Sequence, residues 1–177
     1  MPLHLDGARL WESQPFYDRP LAEIAALADS VYVSFYKGLG SMAGAVLAGP
    51  EDFVAQARRW RSRHGGTLFT LLPYAVGARR GLAQRLPRMA AYLERARELA
   101  AGLDSVDGVR VLPQPPHTNA FRVFVDATPE RLDDEVVRVM TDDRVALAHG
   151  WGACEVPGWS MTELTVGDAT LAWDVDA

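Results

Sequence analysis

Three residues near the start of the chain have the types and spacing for carbonyl chemistry: Asp6 and Arg9 in "HLDGARLWE", and Lys37 in "SFYKGLG". Lys37 closes an apolar, β-branched and aromatic run, "VYVSF", just before two glycines. A sheltered ammonium without a partner is unfavourable, and the neutral amine is a nucleophile toward carbonyl carbon. Such an amine can hold an aldehyde as a Schiff base. The glycines at 38 and 40 let the backbone turn and let a bulky ring come close. Taken alone, Lys37 has a second reading, in which it has left the strand and carries its charge to solvent. A phosphate loop of the GxxxxGK[ST] order is absent.

Asp6 and Arg9 are two further residue types that a pyridoxal phosphate site needs. A carboxylate beside the pyridine nitrogen keeps it protonated, so that the ring accepts electrons from a breaking Cα bond. A planar guanidinium can pair with the phenolic oxygen or with a substrate carboxylate. Each residue alone is also an ordinary turn Asp or surface Arg. The spacing from Asp6 to Lys37 is one βαβ unit, on the order of thirty residues. In such a unit both strand ends face the same sheet edge, where ligands bind.

The elements that must position these residues follow from the pattern. Strands are expected over residues 3–6, 31–35 and 43–49, the last two apolar enough for burial on both faces. A short helix is expected over Leu21–Ala28 behind Pro20, another after Pro50, and a third along "TLFTLLPYAVGARRGLAQ", with Pro73 at a kink or first turn. "PRMAAYLERARELAAGL" is the clearest helix, with Met89, Leu93, Ala96, Ala100 and Leu103 on one face. Strands around a proline loop follow in "VRVLPQPPHTNAFRVFV". Thr128-Pro129 then opens a helix through Met140. Short strands in "RVALA" and "MTELTVGDATLAW" close the chain, with a turn at Gly167-Asp168. Residues 1–84 read as part of a large α/β layer and residues 85–177 as a small α+β domain. Three buried-type strands are too few for an independent α/β layer, so a first half that is missing, or supplied by another chain, is expected.

The chain has 177 residues, 49% hydrophobic and 23% charged, with a net charge of −5. That size carries a core without staples, and the charge argues against nucleic acid as a partner. One cysteine, Cys154, excludes an intrachain disulfide. No signal peptide and no apolar run of ~20 residues is evident, so a cytoplasmic setting without membrane contact is expected. His4 lies on the strand face of Asp6. His149, Cys154 and Glu155 lack the spacing of a metal site, and no metal is expected.

The segments "LHLDGARLWE" and "SVYVSFYKGLGSMAGAVLAG", followed by "RRWRSRHGG", resemble the threonine aldolase and β-eliminating lyase family of pyridoxal-phosphate enzymes. The resemblance covers the C-terminal half of a family member. It implies the C-terminal part of a fold-type-I, transferase-like large domain over residues 1–84, and a small α+β domain over residues 85–177. It implies that Lys37 is the Schiff-base lysine and that Asp6 pairs with the pyridine nitrogen. Arg9 would hold the phenolic oxygen side or the substrate carboxylate, and Ser34 would be a further cofactor contact. The implied reaction cleaves a β-hydroxy amino acid between Cα and Cβ into glycine and an aldehyde. The same lysine and aspartate would also serve β-elimination or transamination. An inactive remnant acting as a folding or assembly module is the competing reading. Small amino-acid substrates and self-association are also implied.

Three departures from the family pattern stand out. The first half, with its phosphate cradle at a helix N-terminus and its stacking histidine, has no counterpart. The family's "GGGMRQ" loop is "GGTLFT" here, which puts Phe69 at the arginine position. The C-terminal arginine of an R-x-V-T-H context gives way to Glu163 or a neighbour within "TELTVGD".

Overall fold

The structure, a computed structural model, describes residues 1–146, 148 and 150–173. The chain separates into two compact units, Met1–Ala90 and Ala91–Ala177.

The first unit begins with β1 (His4–Gly7), α1 (Leu10–Tyr17), α2 (Leu21–Ala25) and β2 (Ser30–Ser34). β1 and β2 are parallel, with Asp6 opposite Tyr32 and Gly7 opposite Val33. Gly7 is required by this close approach: a Cβ there would lie 2.6 Å from the Tyr32 carbonyl oxygen. At the other end Asp29 fixes the register. Its carboxylate accepts from the Leu3 N–H at 2.7 Å, and its own N–H donates to the Leu3 carbonyl at 2.9 Å.

α1 is an element that the sequence pattern did not announce. It contains Pro15 and has almost no one-sided apolar stripe, and it ends at Asp18 in the left-handed region (φ 50°). α2 stops at Ala25 rather than running to Ala28.

The chain then returns as β3 (Ala45–Ala48), antiparallel to β2. β3 was expected to be buried on both faces. Instead it is an edge strand, three of its four residues are exposed, and Val46 remains 44% accessible. α3 (Glu51–Arg63) has acidic residues in its first turn and basic residues in its last, matching the helix dipole. α4 (Leu72–Gln84) is shorter than expected at its start. Residues 67–71 lie outside it, because Pro73 occupies the first turn and has no N–H to extend the ladder backward.

α5 (Met89–Asp104) follows one turn of 3₁₀ helix. Met89, Leu93, Ala96 and Ala100 are buried, as their spacing predicts.

In the second unit β4 (Val109–Leu112), β5 (Ala120–Val125), β6 (Gly152–Ala153) and β7 (Ser160–Thr165) form an antiparallel sheet in the order β4-β5-β7-β6. α6 (Pro129–Asp142) opens at Thr128-Pro129 as expected, although the Thr128 side chain makes no capping bond. Phe121 and Val123 of β5 face inward while Arg122 faces out.

Two expectations fail in this unit. The described residues of "RVALA" are not in a strand. The segment after Gly167 is a short helix, α7 (Asp168–Leu171), not a hairpin strand. Asp168 suits the first turn of a helix, and its carboxylate accepts a hydrogen bond from the Tyr92 hydroxyl. That bond and the Gly167 N–H donating to the Thr170 hydroxyl oxygen favour a helical turn over a second strand.

Candidate active site

The parallel pairing of β1 and β2 brings their C-terminal ends to one edge of the sheet. Asp6, Arg9, Ser34 and Lys37 all lie at or just beyond that edge. Asp6 is exposed, and its Oδ1 accepts the Ala8 N–H at 3.1 Å, a local turn bond that leaves the carboxylate open to a further donor. Arg9 precedes α1 and is one-third exposed.

Ser34 ends β2 and is 1% exposed. Its hydroxyl donates to the Ala8 carbonyl at 2.6 Å. The Trp11 indole N–H donates to the Ser34 carbonyl at 2.7 Å, and the Trp11 ring stacks on Phe35 at 6.3 Å between centroids. Together these contacts lock the turn after β1 onto the end of β2.

Lys37 sits three residues beyond β2, half-buried, in a tight loop. Its carbonyl accepts the Gly40 N–H at 2.8 Å, and the Phe35 carbonyl accepts the Ser41 N–H at 2.8 Å. Gly40 turns the chain at φ +66°, and a Cβ there would collide with the Arg85 guanidinium. Leu39, 2% exposed, anchors the loop under α4. Gly81 of α4 makes room for it, since a Cβ at 81 would lie 2.4 Å from the Leu39 carbonyl oxygen. Among the described residues no carboxylate pairs with the Lys37 ammonium.

Gly38 serves a different purpose from the ring approach expected of it. The space where its side chain would stand holds the Glu12 carboxyl group, 2.4 Å from an added Cβ. Glu12 is completely buried. Its Oε1 accepts the Gly38 N–H at 2.7 Å and lies 4.0 Å from Arg9 Nη1. Sequence reading missed Glu12. The available signal was an acid directly after the apolar Leu10 and Trp11, one helical turn after Arg9.

Tyr32 and Tyr36 share a hydrogen bond at 2.9 Å. The Tyr32 hydroxyl is pushed up to about 12, first by that bond, then by burial, and further by the charges of Tyr36 and Asp6. His4 has Nδ1 at 2.8 Å from the Ser30 hydroxyl, two residues back from the edge.

Elsewhere Phe69 is fully exposed, and Glu163 lies exposed on β7 opposite Arg122 of β5. The Cys154 thiol faces the carbonyls of Val156 and Trp159. Among the described residues no cluster of three or more His, Cys, Asp or Glu could hold a metal. His149 lies outside the described residues. No helix among the described residues is long and apolar enough to cross a membrane.

The chemistry of the donor set fits pyridoxal phosphate at two ends. The Lys37 amine suits its aldehyde, and the open Asp6 carboxylate suits its ring nitrogen. Residues 1–128 match the β-eliminating lyase family, and the chain belongs to it. Its α/β architecture is that of the fold-type-I pyridoxal-phosphate enzymes.

Within that class the similarities run to threonine aldolases. The chain is 33% identical over 124 residues to the low-specificity L-threonine aldolase 1 of Arabidopsis thaliana, covering 70% of this chain and 34% of that one. A solved structure from Listeria monocytogenes, assigned as an L-allo-threonine aldolase, superposes with a TM-score of 0.93 at 39% identity, over 99% of this chain and 49% of that one. One from Exiguobacterium sp. 255-15, assigned as an aromatic amino acid β-eliminating lyase/threonine aldolase, gives 0.93 at 40% identity with the same coverage. The chain thus spans about a third of the length of the plant relative and about half of each solved chain.

Proposed function

We propose that this chain carries the lysine-bearing part of a pyridoxal-phosphate lyase that cleaves a β-hydroxy amino acid into glycine and an aldehyde. The observation that carries the reading is the parallel register of β1 and β2, which sets Asp6 and the Lys37 loop at one sheet edge.

When bound, pyridoxal phosphate supplies an aldehyde and an electron-accepting ring. Lys37 would hold that aldehyde through its Nζ. The same amine, once free of the aldehyde, would serve to move a proton at the substrate Cα. Asp6 keeps a proton on the ring nitrogen through a charge-assisted hydrogen bond. Arg9 orients the phenolic oxygen side or the substrate carboxylate with its planar fork. Ser34 can only accept from a ligand, because its own proton is donated to the Ala8 carbonyl. Glycine and aldehyde are the products supported by the likeness to threonine aldolases. The scarcity of cysteine supports a cytoplasmic setting as part of the same reading.

The proposed partner is a polypeptide that covers the apolar residues Leu68, Phe69, Leu71 and Leu72, all at least half exposed. A second copy of the chain or a chain carrying the other half of the family fold would do so. The same surface, with Phe69 at the family's arginine position, favours a second reading: an assembly module without catalysis.

The test incubates the purified chain with pyridoxal phosphate, reduces it with borohydride and maps the added mass. Label on Lys37 supports cofactor binding, and its absence rejects binding by this chain alone. Glycine and acetaldehyde from threonine then support the aldolase. Pyruvate and ammonia from serine would assign elimination instead, and label without turnover would favour the assembly module.

A further inference from the structure

We propose that Glu12 is a positioning residue of this site, holding Lys37 and Arg9 in register with each other; the inference rests on the functional reading above. Glu12 reaches from α1 into the loop after β2. Its Oε1 is hydrogen-bonded to the Gly38 N–H at 2.7 Å and stands 4.0 Å from Arg9 Nη1. The carboxyl group is inaccessible to solvent, and among the described residues Oε2 has no hydrogen-bond partner.

A fully buried acid is unfavourable unless it is compensated. Here the compensation comes from the two groups whose relative placement the chemistry needs. The Gly38 N–H belongs to the peptide plane that leaves Lys37, so fixing it fixes the Lys37 Cα and the root of its side chain. Arg9 stands one helical turn before Glu12, on the same face. The fit is mutual, because an added Cβ at position 38 would lie 2.4 Å from Oε1 and 2.6 Å from the carboxyl carbon. Nothing larger than glycine can follow Lys37 while Glu12 stays where it is. A group only about an ångström out of place loses a large part of its catalytic effect, so a rigid tether behind the lysine acts on rate as well as on folding.

Glu12 therefore acts through its neighbours and not on substrate. The test compares Glu12→Ala, Glu12→Gln, Gly38→Ala and the double variant Glu12→Ala/Gly38→Ala. The first readout is hydrogen exchange of peptides spanning residues 35–41 in the full chain without cofactor. The second is the rate of borohydride-trapped pyridoxyl labelling at Lys37.

Loss of the bond in Glu12→Ala is expected to speed exchange in that segment about tenfold and to slow labelling by roughly fivefold or more. Glu12→Gln should restore most of both, because its amide oxygen still accepts the Gly38 N–H. Gly38→Ala should reproduce the alanine variant at position 12, and the double variant should be no worse than either single one. Wild-type exchange and labelling in Glu12→Ala overturn the proposal, as does a double variant in which the two losses multiply. If Glu12→Ala does not fold, Gly38→Ala decides: unchanged exchange and labelling overturn the proposal. A wild-type chain that is never labelled at Lys37 removes the functional reading, while the exchange data still decide whether Glu12 tethers the loop.

Discussion

The Ser34 hydroxyl donates to the Ala8 carbonyl across 2.6 Å, fastening the end of one parallel strand to the turn that leaves its neighbour. The serine is almost fully buried. Ser34→Ala is expected to lower unfolding free energy by about 1 kcal/mol, read from urea denaturation. If the serine acts as a brace, labelling of Lys37 at saturating cofactor should stay near the wild-type extent. A complete loss of labelling in a folded variant would make it an indispensable cofactor contact.

Lys37 and Asp6 separate two parts of the proposed chemistry. Lys37→Ala is expected to abolish borohydride-trapped label. Asp6→Asn should still label, because the lysine is intact, but should lower kcat about a hundredfold, the scale seen when one preorganised electrostatic contact is removed. Mass mapping and steady-state kinetics on the same preparations check both outcomes.

The Tyr32–Tyr36 bond gives a pH dependence of known sign. The Tyr32 hydroxyl titrates at about 12 in the fold against 10.0 for an ordinary tyrosine, chiefly because of its bond to Tyr36. A raised value for this acid means that the folded state holds its proton more tightly than the unfolded chain. The associated stability is complete below pH 10 and is lost as pH rises through 12. Tyr36→Phe should bring the Tyr32 titration back down and flatten that loss. Ultraviolet titration of tyrosinate and urea midpoints across the alkaline range measure the two effects.

Gly81→Ala sets helix propensity against packing. In an exposed helix interior the change would stabilise by about 1 kcal/mol. Here the new Cβ would lie 2.4 Å from the Leu39 carbonyl oxygen and 2.9 Å from the Leu39 Cβ. Backbone atoms cannot step aside cheaply, so the sign should reverse, with a net loss of about 1–3 kcal/mol. Thermal unfolding reads the sign, and a gain in stability would show that the Lys37 loop yields more readily than its hydrogen bonds imply.

The exposed Leu68–Leu72 stretch predicts self-association. Phe69→Ser with Leu72→Ser should weaken it about tenfold or more, since truncation of a few apolar anchors dominates interface energy. Sedimentation velocity over a concentration series checks this. Unchanged association would place the contact elsewhere.

The strands that carry the candidate residues were legible because their signals are local. The apolar run before Lys37, the glycines after it and the Asp6–Lys37 spacing each constrain a short piece of backbone, and β1 and β2 formed where they point. Glu12 was not legible, since its importance depends on a contact 26 residues away with a glycine's missing side chain. α1 was hidden for a related reason: Pro15 and weak amphipathicity masked a helix whose value lies in what Trp11 and Glu12 touch. β3 reads as a buried strand from composition, yet burial depends on what lies against it. The terminal "DATLAW" misled because Thr and Trp favour strands, whereas an Asp beside a glycine suits a helix start equally well.

The three-stranded sheet keeps β2 in its centre, and among the described residues no strand pairs with the outer flank of β1 or β3. Main-chain donors and acceptors on those flanks make the layer extensible from either side, by another strand of any polypeptide that matches its pitch. Because the Lys37 loop follows the central strand β2, such an addition would widen the sheet without pulling on the loop.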